Sequence, residues 1–364
     1  NKKKESGKRN GSKVIGVGVG SAYHSAGANG FDGLVRITPD GKLHVHNGSG
    51  NLGTYSYAAT SRAAAEVLGA NWENVIIERG DTRKGLPFVL GQFGSNSTYT
   101  QTRTNWVAAM DAKAKLQEIA AKDLGGVAGD YDVSDGKVFN KASPSKSMSW
   151  AKAAQRAIAL GGKFSGKEMP KNLNPITKWA TASIAGSGLV GVAKDTLPKK
   201  GVTPGLVTAF VKVEVDTETG KVEVIDHVEV ADCGTAVHPQ SLATQIKGGA
   251  VMGYGLALSE RYIYDPKLGI SASTGFNNAK APTILDVPSE MTVTNVGRPD
   301  ESNPVGAKGV GEPVQGASAS AILVAISDAL GGHMFNRTPV VPDMIINAAA
   351  GRPQSHKPLA VNTQ

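Results

Sequence analysis

Apolar residues recur every three or four positions over several long stretches of this chain, which is the spacing of one helix face. Over residues 55–69 the pattern predicts a helix, and Gly69 marks its end because glycine often follows the last helical turn. The same spacing predicts four further helices, over residues 105–124, 148–160, 239–258 and 313–330.

Apolar and polar positions alternate in other stretches, and this alternation is typical of strands. Residues 34–37 and 43–46 flank a turn at Asp40-Gly41 and predict a first hairpin. A second hairpin is predicted from residues 206–215 and 222–230, and a short buried strand from residues 75–77. Because helices and hairpins alternate along the chain, we predict an α+β protein made of two α/β lobes of mixed sheets and helices.

The chain is 364 residues long, which allows one large domain or two medium ones. Residues 161–204 are rich in Gly, Lys, Ser and Pro and show weak periodicity, so they predict a connection between lobes. The predicted division is a basic arm at 1–14, a first lobe at 15–160, the connection at 161–204, a second lobe at 205–350 and a C-terminal tail at 351–364.

Positive charge is concentrated at the N-terminus. The chain holds 39 Lys and Arg against 31 Asp and Glu, a net charge of +8, and the first thirteen residues contribute +5 of it. A basic arm can bind nucleic acid. The remainder is close to neutral and carries no recognition motif, so we favour an arm that lies along the outside of a neighbouring subunit and predict no nucleic-acid partner.

Several kinds of site are excluded or disfavoured by composition. No apolar run is long enough to span a membrane. The single cysteine, Cys233, excludes an internal disulfide and an all-cysteine metal site, so any iron–sulfur cluster must lie on another chain. His44 and His46 alternate along one predicted strand without a third ligand nearby, which favours a polar strand face over a metal site.

Three segments rich in glycine and hydroxyl side chains precede predicted helices. Glycine lets a ligand approach the backbone closely, and the N-terminus of a helix attracts anions. The segments therefore predict one large, polar, anionic ligand held by several loops, although ordinary helix capping is the simpler alternative for each. They are residues 48–54, 94–102 and 305–313.

Glu312 stands at the start of the last apolar helix. An acidic residue there can simply complement the helix dipole. The glycines before it and the apolar residues around it favour a partly enclosed carboxylate that can act as a general base. The predicted helix over residues 239–258 contains four glycines, each of which costs about 1 kcal/mol of helix stability. We therefore expect a neighbouring element to pack very close to that helix.

Six short motifs follow one another in a characteristic order: Gly50-Asn51-Leu52-Gly53, Gly80-Asp81-Thr82, the segment 95–102, Asp232-Cys233-Gly234 with His238-Pro239, Gln245-Ile246-Lys247-Gly248-Gly249, and Lys308-Gly309-Val310-Gly311-Glu312-Pro313. With these motifs the chain resembles the molybdenum hydroxylases, the family of xanthine dehydrogenase and aldehyde oxidase. The resemblance covers residues from about 15 to about 335 and matches the C-terminal half of the subunit that binds the molybdenum cofactor.

The resemblance implies roles for particular residues. Glu312 is the implied catalytic base, which lies beside the molybdenum without ligating it. The metal would be held through the dithiolene of the pterin, so no metal ligand is expected on this chain. The cofactor would be molybdopterin or its cytosine dinucleotide form. The implied cofactor-binding residues are Gly53, Thr54, Ser95, Asn96, Ser97, Thr98, Gln245, Gly309 and Gly311.

The resemblance also implies a function and partners. The family oxidises aldehydes or N-heterocycles with water as the oxygen source. The first half of the cofactor site is absent, so a separate subunit or an upstream stretch of the same polypeptide must supply it. Iron–sulfur clusters and FAD or haem are expected on partner chains. The compartment is open between the cytoplasm and the periplasm of a bacterium.

One departure from the family leaves a second function open. The family usually has Gly-Gln-Gly where this chain has Gly53-Thr54-Tyr55, and the threonine side chain is shorter than the glutamine. A non-catalytic scaffold subunit of such a complex is therefore the alternative to an active subunit.

Overall fold

A computed structural model describes residues 5–199, 201–277 and 279–354. The helices in these ranges are α1 (Ser56–Leu68), α2 (Ser97–Leu124), α3 (Trp150–Leu160), α4 (Pro175–Ile184), α5 (Pro239–Leu258), α6 (Glu312–Ala329) and α7 (Pro342–Ala349). The strands are β1 (Arg9–Asn10), β2 (Lys13–Ser25), β3 (Asp32–Ile37), β4 (Leu43–His46), β5 (Val75–Glu78), β6 (Tyr131–Ser134), β7 (Lys137–Asn140), β8 (Ser147–Ser149), β9 (Leu189–Lys194), β10 (Pro204–Asp216), β11 (Val222–Asp232) and β12 (Met291–Asn295).

The strands of the described residues form three sheets that belong to two lobes. A four-stranded sheet in the order β5-β4-β3-β9 and a small sheet of β6, β7 and β8 pack with α1, α2 and α3 around one apolar core. A five-stranded sheet in the order β1-β2-β10-β11-β12 packs with α5 and α6 around the other. The predicted class, α+β with two lobes of mixed sheets and helices, is confirmed.

The predicted division of the chain is wrong for two strands. β2 lies in the predicted first lobe, yet it pairs along its whole length with β10 in the sheet of the second lobe. β9 lies in the predicted connection, yet it pairs with β3 in the first lobe. The physical reason is that strand pairing depends on contacts between distant segments, which the local periodicity of either segment does not record.

The described part of the predicted basic arm, residues 5–14, packs on its own lobe rather than extending away. β1 forms a short hairpin with the start of β2. The Lys212 Nζ atom donates to Glu5 Oε2 at 2.7 Å, and the Ser6 hydroxyl donates to Asp328 at 2.7 Å. These contacts correct, for that part, the expectation of an arm that lies along the outside of a neighbouring subunit. Residues 1–4 of the arm and 355–364 of the predicted tail lie outside the described residues.

Glycines in β2 allow α6 to lie directly on the strand. A Cβ atom at Gly16, Gly18 or Gly20 would stand 1.9 to 2.3 Å from a backbone carbonyl oxygen of α6. This is closer than any side chain can approach, so the strand and the helix meet at backbone distance. Close packing is confirmed for α5 as well, since a Cβ atom at Gly253 would lie 2.7 Å from the carbonyl oxygen of Gln315 on α6.

Most predicted helices are found within a few residues of their expected limits, but α2 begins eight residues before the predicted start. Its first two turns are polar and buried, with Gln101 and Arg103 almost inaccessible to solvent. Arg103 forms a buried ion pair with Asp195 at 2.7 Å. Polar side chains that are fully paired can be buried, and apolar spacing does not reveal them. Within the described ranges, no helix is both long and apolar enough to cross a membrane.

Candidate active site

Four helices direct their N-terminal turns at one cavity between the two lobes. The cavity has a volume of about 270 Å³ and is lined by Ser56 of α1, Ser97 of α2, Ser241 of α5 and Glu312 of α6. The first turn of a helix has backbone N–H groups without an intrahelical acceptor and carries the positive end of the helix dipole. Four such ends around one space create an environment suited to an anionic ligand.

Several polar side chains on the cavity wall are free. Ser97, Thr98, Ser241 and Gln245 line the cavity, and their side-chain polar atoms make no hydrogen bond with any described residue. Polar groups inside proteins are normally paired with protein or water. These hydroxyl and amide groups are therefore available to a ligand, and together they offer both donors and acceptors.

Glu312 is held by the loop that precedes α2. The Ser95 hydroxyl donates to Glu312 Oε2 at 2.8 Å, and the backbone N–H of Glu312 donates to the same hydroxyl oxygen at 2.9 Å. The Gly94 N–H donates to Oε1 at 3.3 Å. Ser95 thus serves as the N-cap of α6 from a distant part of the chain and orients the carboxylate at the same time.

A histidine completes the surroundings of this carboxylate. His24, near the end of β2, places its Nε2 atom 2.8 Å from Glu312 Oε2. The side chain of His24 is 37% exposed and that of Glu312 is 46% exposed. Glu312 is therefore less enclosed within this chain than its apolar flanks predict.

The glycines before α6 have different tasks. A Cβ atom on Gly309 would stand 1.4 Å from the carbonyl oxygen of Ser95, so no other residue fits there. The N–H of Gly309 donates to the Ala26 carbonyl at 3.0 Å. Gly309 therefore packs against the loop that holds Glu312 and does not line the cavity, whereas Gly311 does line it.

Gln92 joins the two polar loops at the cavity mouth. Its Oε1 atom accepts the Leu52 N–H at 2.7 Å, and its Nε2 atom donates to the hydroxyls of Thr54, at 3.3 Å, and Ser56. The Thr54 hydroxyl lines the cavity and is tied to this amide. Gly53 stands behind it in a turn at a φ of 90°, where its N–H donates to the Asn51 side chain at 3.0 Å. Gln92 therefore sets the spacing of the two loops.

Asn96 lies beneath the surface of the cavity, in the loop before α2. Its side chain is buried and donates through Nδ2 to the carbonyl oxygens of Gly91, at 3.3 Å, and Phe93. Because these bonds stay within its own loop, Asn96 shapes the turn before α2 and does not line the cavity.

The cavity is also lined by a buried cation and by the single cysteine. Lys308 is buried and its Nζ atom lies 2.8 Å from Asp232 Oδ1. Cys233 is also buried, and burial raises the pKa of its thiol. The cysteine is therefore a neutral thiol near neutral pH and not a thiolate nucleophile.

Comparison with known proteins agrees with this geometry. The model of the molybdopterin cofactor-binding domain matches residues 1–288, which is more than half of the chain. The chain belongs to the molybdenum hydroxylase family. It is 27% identical over 326 residues to the probable hypoxanthine oxidase XdhD of Escherichia coli K12, a match that covers 89% of this chain and 31% of that protein.

Two further relatives extend the comparison. The aldehyde oxidoreductase molybdenum-binding subunit PaoC of Escherichia coli O157:H7 is 25% identical, over 89% of this chain and 39% of its own length. The crystal structure of quinoline 2-oxidoreductase from Pseudomonas putida 86 superposes with a TM-score of 0.75 at 25% identity, over 94% of this chain and 42% of that one. The chain thus spans about a third to two-fifths of the length of these molybdenum hydroxylases.

The residues of the cavity fit the cofactor of the molybdenum hydroxylases. A molybdopterin carries a phosphate and a polar ring system, and the cavity offers helix N-termini together with four free polar side chains. Gln245, Ser97, Thr98 and Ser241 are the side chains that would hold it.

The cavity gathers most of the residues that the resemblance implies for the site. Those on its surface are Thr54, Ser95, Ser97, Thr98, Gln245, Gly311 and Glu312. Gly53, Asn96 and Gly309 lie behind the surface for the reasons given above.

Sequence reasoning missed His24, Gln92 and Ser241. His24 and Gln92 carry no motif signal, since each matters through a contact with a distant residue. Ser241 could have been found, because it follows His238-Pro239 at the start of a predicted helix. The two strand histidines lie elsewhere: His44 contacts Glu78 at 3.0 Å, and burial lowers the pKa of His46 to about 3. Among the described residues no cluster of three metal-ligating side chains occurs.

Proposed function

We propose that this chain forms one wall of the molybdenum-cofactor site in a multi-subunit hydroxylase that oxidises an aldehyde or an N-heterocycle, with water as the oxygen source. Glu312 carries the proposal, as a carboxylate oriented by neighbouring donors at a cavity where four other polar side chains are free. When bound, the molybdenum cofactor supplies the two-electron oxidation.

The surroundings of Glu312 suit a general base. Its Oε2 atom is engaged by Ser95 and His24, while its Oε1 atom has a single contact, the longer one from the Gly94 N–H. Oε1 therefore keeps a lone pair with which to accept a proton from a group in the cavity. Orientation by fixed donors lowers the cost of bringing the base to the reacting group.

The remaining walls suit binding and orientation. Ser97 and Thr98 present hydroxyls at the N-terminus of α2, where a phosphate is favoured by both the backbone and the dipole. Gln245 presents its amide next to Gly311, with Nε2 3.3 Å from the position that a Cβ atom would take. These side chains would fix the cofactor so that its reacting part lies beside Glu312.

Two exposed apolar surfaces support a partner chain that carries the rest of the site. On the outer face of the five-stranded sheet, Val19 pairs with Phe210 and Tyr23 pairs with Leu206, each of them 41% to 55% exposed. A second surface lies between α5 and β12, where large apolar side chains are 57% to 91% exposed: Tyr262, Tyr264, Leu268, Ile270, Phe276, Ile284 and Leu285. Exposed apolar patches of this kind mark protein interfaces.

Further partners follow from the chemistry. Electrons that leave the cofactor need an acceptor, and the single cysteine cannot hold an iron–sulfur cluster. We therefore expect an iron–sulfur subunit and a flavin or cytochrome subunit. The names of two relatives, a hypoxanthine oxidase and a quinoline oxidoreductase, support an N-heterocycle, and that of a third supports an aldehyde.

Replacement of Glu312 by glutamine tests the proposal in the assembled, cofactor-loaded complex. The amide keeps the size of the side chain and cannot accept a proton, so we expect kcat to fall about 10²- to 10⁴-fold. Molybdenum content, measured by elemental analysis, should stay at the wild-type level because Glu312 is not expected to ligate the metal. Glu73→Gln, on an exposed short turn, is the matched control.

The result also separates the active subunit from the scaffold. A Glu312→Gln complex that keeps more than about a tenth of the wild-type kcat contradicts the role of base. A wild-type complex with full molybdenum content that no aldehyde or N-heterocycle reduces would instead support the scaffold.

A further inference from the structure

His24 and Glu312 meet although they lie on different elements. β2 carries His24 near its C-terminal end, and α6 begins at Glu312. The Nε2 atom of His24 lies 2.8 Å from Glu312 Oε2, the same oxygen that accepts the Ser95 hydroxyl. At this distance a proton must lie between the nitrogen and the carboxylate, so the ring donates from Nε2.

The other groups that contact the Glu312 carboxylate are uncharged. The loop before α2 contributes the Ser95 hydroxyl and the Gly94 N–H. On β10 the residue opposite His24 is Gly205, which has no side chain. Lys308 and His238 line the same cavity, but Lys308 pairs with Asp232 and the His238 ring accepts the Ser241 N–H. Within the described residues, His24 is the one ionisable side chain in ion-pair contact with Glu312.

We propose that His24 is a positioning residue for Glu312: its ring N–H holds the Oε2 atom so that Oε1 is left to accept a proton. The proposal rests on the role of Glu312 as the base. The hydrogen bond from the ring fixes the direction in which the carboxylate faces the cavity, so the base is already oriented when the reacting group arrives.

The first test measures kcat and KM in the cofactor-loaded complex. His24→Gln can still donate an N–H to the carboxylate, so we expect kcat near the wild-type value. His24→Ala loses the donor, and we expect kcat to fall about tenfold with little change in KM.

The matched control is His44→Gln. It removes another contact between a histidine and a glutamate, His44 Nδ1 to Glu78 Oε1 at 3.0 Å, in the first lobe and away from the cavity. This control should leave both kcat and KM unchanged. If His24→Ala behaves like the control, or if His24→Gln loses as much kcat as His24→Ala, the proposal is overturned.

The second test does not depend on turnover. In the complex labelled with ¹³C at histidine Cε1, the resonance that His24→Gln removes reports the ring. We expect the chemical shift of this resonance to change in Glu312→Gln, because the ring then donates to a neutral amide in place of a carboxylate. An unchanged resonance overturns the contact.

The two proposals fail in different ways. If Glu312→Gln stays active, the role of Glu312 as the base is lost, and the role of His24 is lost with it. If Glu312→Gln is inactive while His24→Ala keeps the wild-type kcat, the proposed function stands and only the role of His24 is wrong.

Discussion

Ser95 shows how one side chain can serve both the backbone and the chemistry of a site. Its φ of 51° lies in the left-handed region, which is costly for a residue with a side chain. In return, its hydroxyl accepts the Glu312 N–H and donates to the Glu312 carboxylate. The resemblance implies a contact with the cofactor for Ser95, whereas the geometry commits its hydroxyl to Glu312.

Removing this hydroxyl should disturb the base more than the binding of the cofactor. For Ser95→Ala we expect kcat to fall about tenfold, the effect of one hydrogen bond to a charged group, with molybdenum content unchanged. Ser97→Ala is the control, because the Ser97 hydroxyl lines the cavity and has no partner among the described residues.

The control should show the opposite pattern, with lower cofactor retention and an unchanged kcat for each loaded molecule. Metal analysis and steady-state kinetics on the same samples separate the two quantities. Equal kcat values in Ser95→Ala and the wild type would show that the hydrogen bonds between Ser95 and Glu312 do not matter to turnover.

At the scale of elements, the site depends on how α6 lies on β2. Glycines at alternate positions of the strand bring the helix to backbone distance, and this fixes where the helix begins. Because Glu312 is the first residue of α6 and His24 is near the end of β2, the same packing sets the distance between their side chains. The glycines of β2 are therefore required for the packing of α6.

One methyl group added between β2 and α6 should lower both the stability of the protein and its activity. In Gly18→Ala the new Cβ atom would stand 2.1 Å from the Ala321 carbonyl oxygen, so the helix must move. We expect the free energy of unfolding to fall by about 1–3 kcal/mol, as for other overpacked cores, and kcat to fall as well. Chemical denaturation of the assembled protein measures the first effect.

Gly129→Ala is the matched control, since nothing lies within 4 Å of a Cβ atom there. It should change neither quantity measurably. A Gly18→Ala protein as stable as this control would mean that α6 does not press on β2.

At the scale of the whole molecule, the two lobes enclose one cavity, and the chain has apolar surfaces that nothing in the described residues covers. The first lobe contributes the loops at 51–56 and 92–98, and the second lobe contributes α5 and α6. The chain matches about a third to two-fifths of the length of its relatives. We therefore expect a separate subunit or another stretch of the same polypeptide to supply the rest of the site.

The chain without its partners should therefore bind no stoichiometric cofactor and should self-associate. Leu285, 91% exposed, and Phe276, 87% exposed, would lie in water at an apolar surface. We expect aggregates in size-exclusion chromatography with light scattering, and a charged variant, Leu285→Asp, should reduce them. One molybdenum per monomeric wild-type chain would contradict this prediction.

Local patterns along the chain were enough to predict α5 to the residue, α1 within one residue, and both long hairpins. Each of these elements buries one face. Its apolar residues therefore recur at a fixed spacing, which can be seen in the sequence of that element alone. The motif that contains Glu312 was also visible, because its glycines and its proline fall within five consecutive residues.

The remaining features arise where distant segments meet. The pairing of β2 with β10, the capping of α6 by Ser95 and the contact of His24 with Glu312 each join residues that are remote in sequence, 217 positions apart for Ser95 and Glu312. The stabilisation comes from the contact and depends on the placement of both partners. Neither partner changes the hydrophobic period of its own element, so contacts of this kind become visible once the chain is folded.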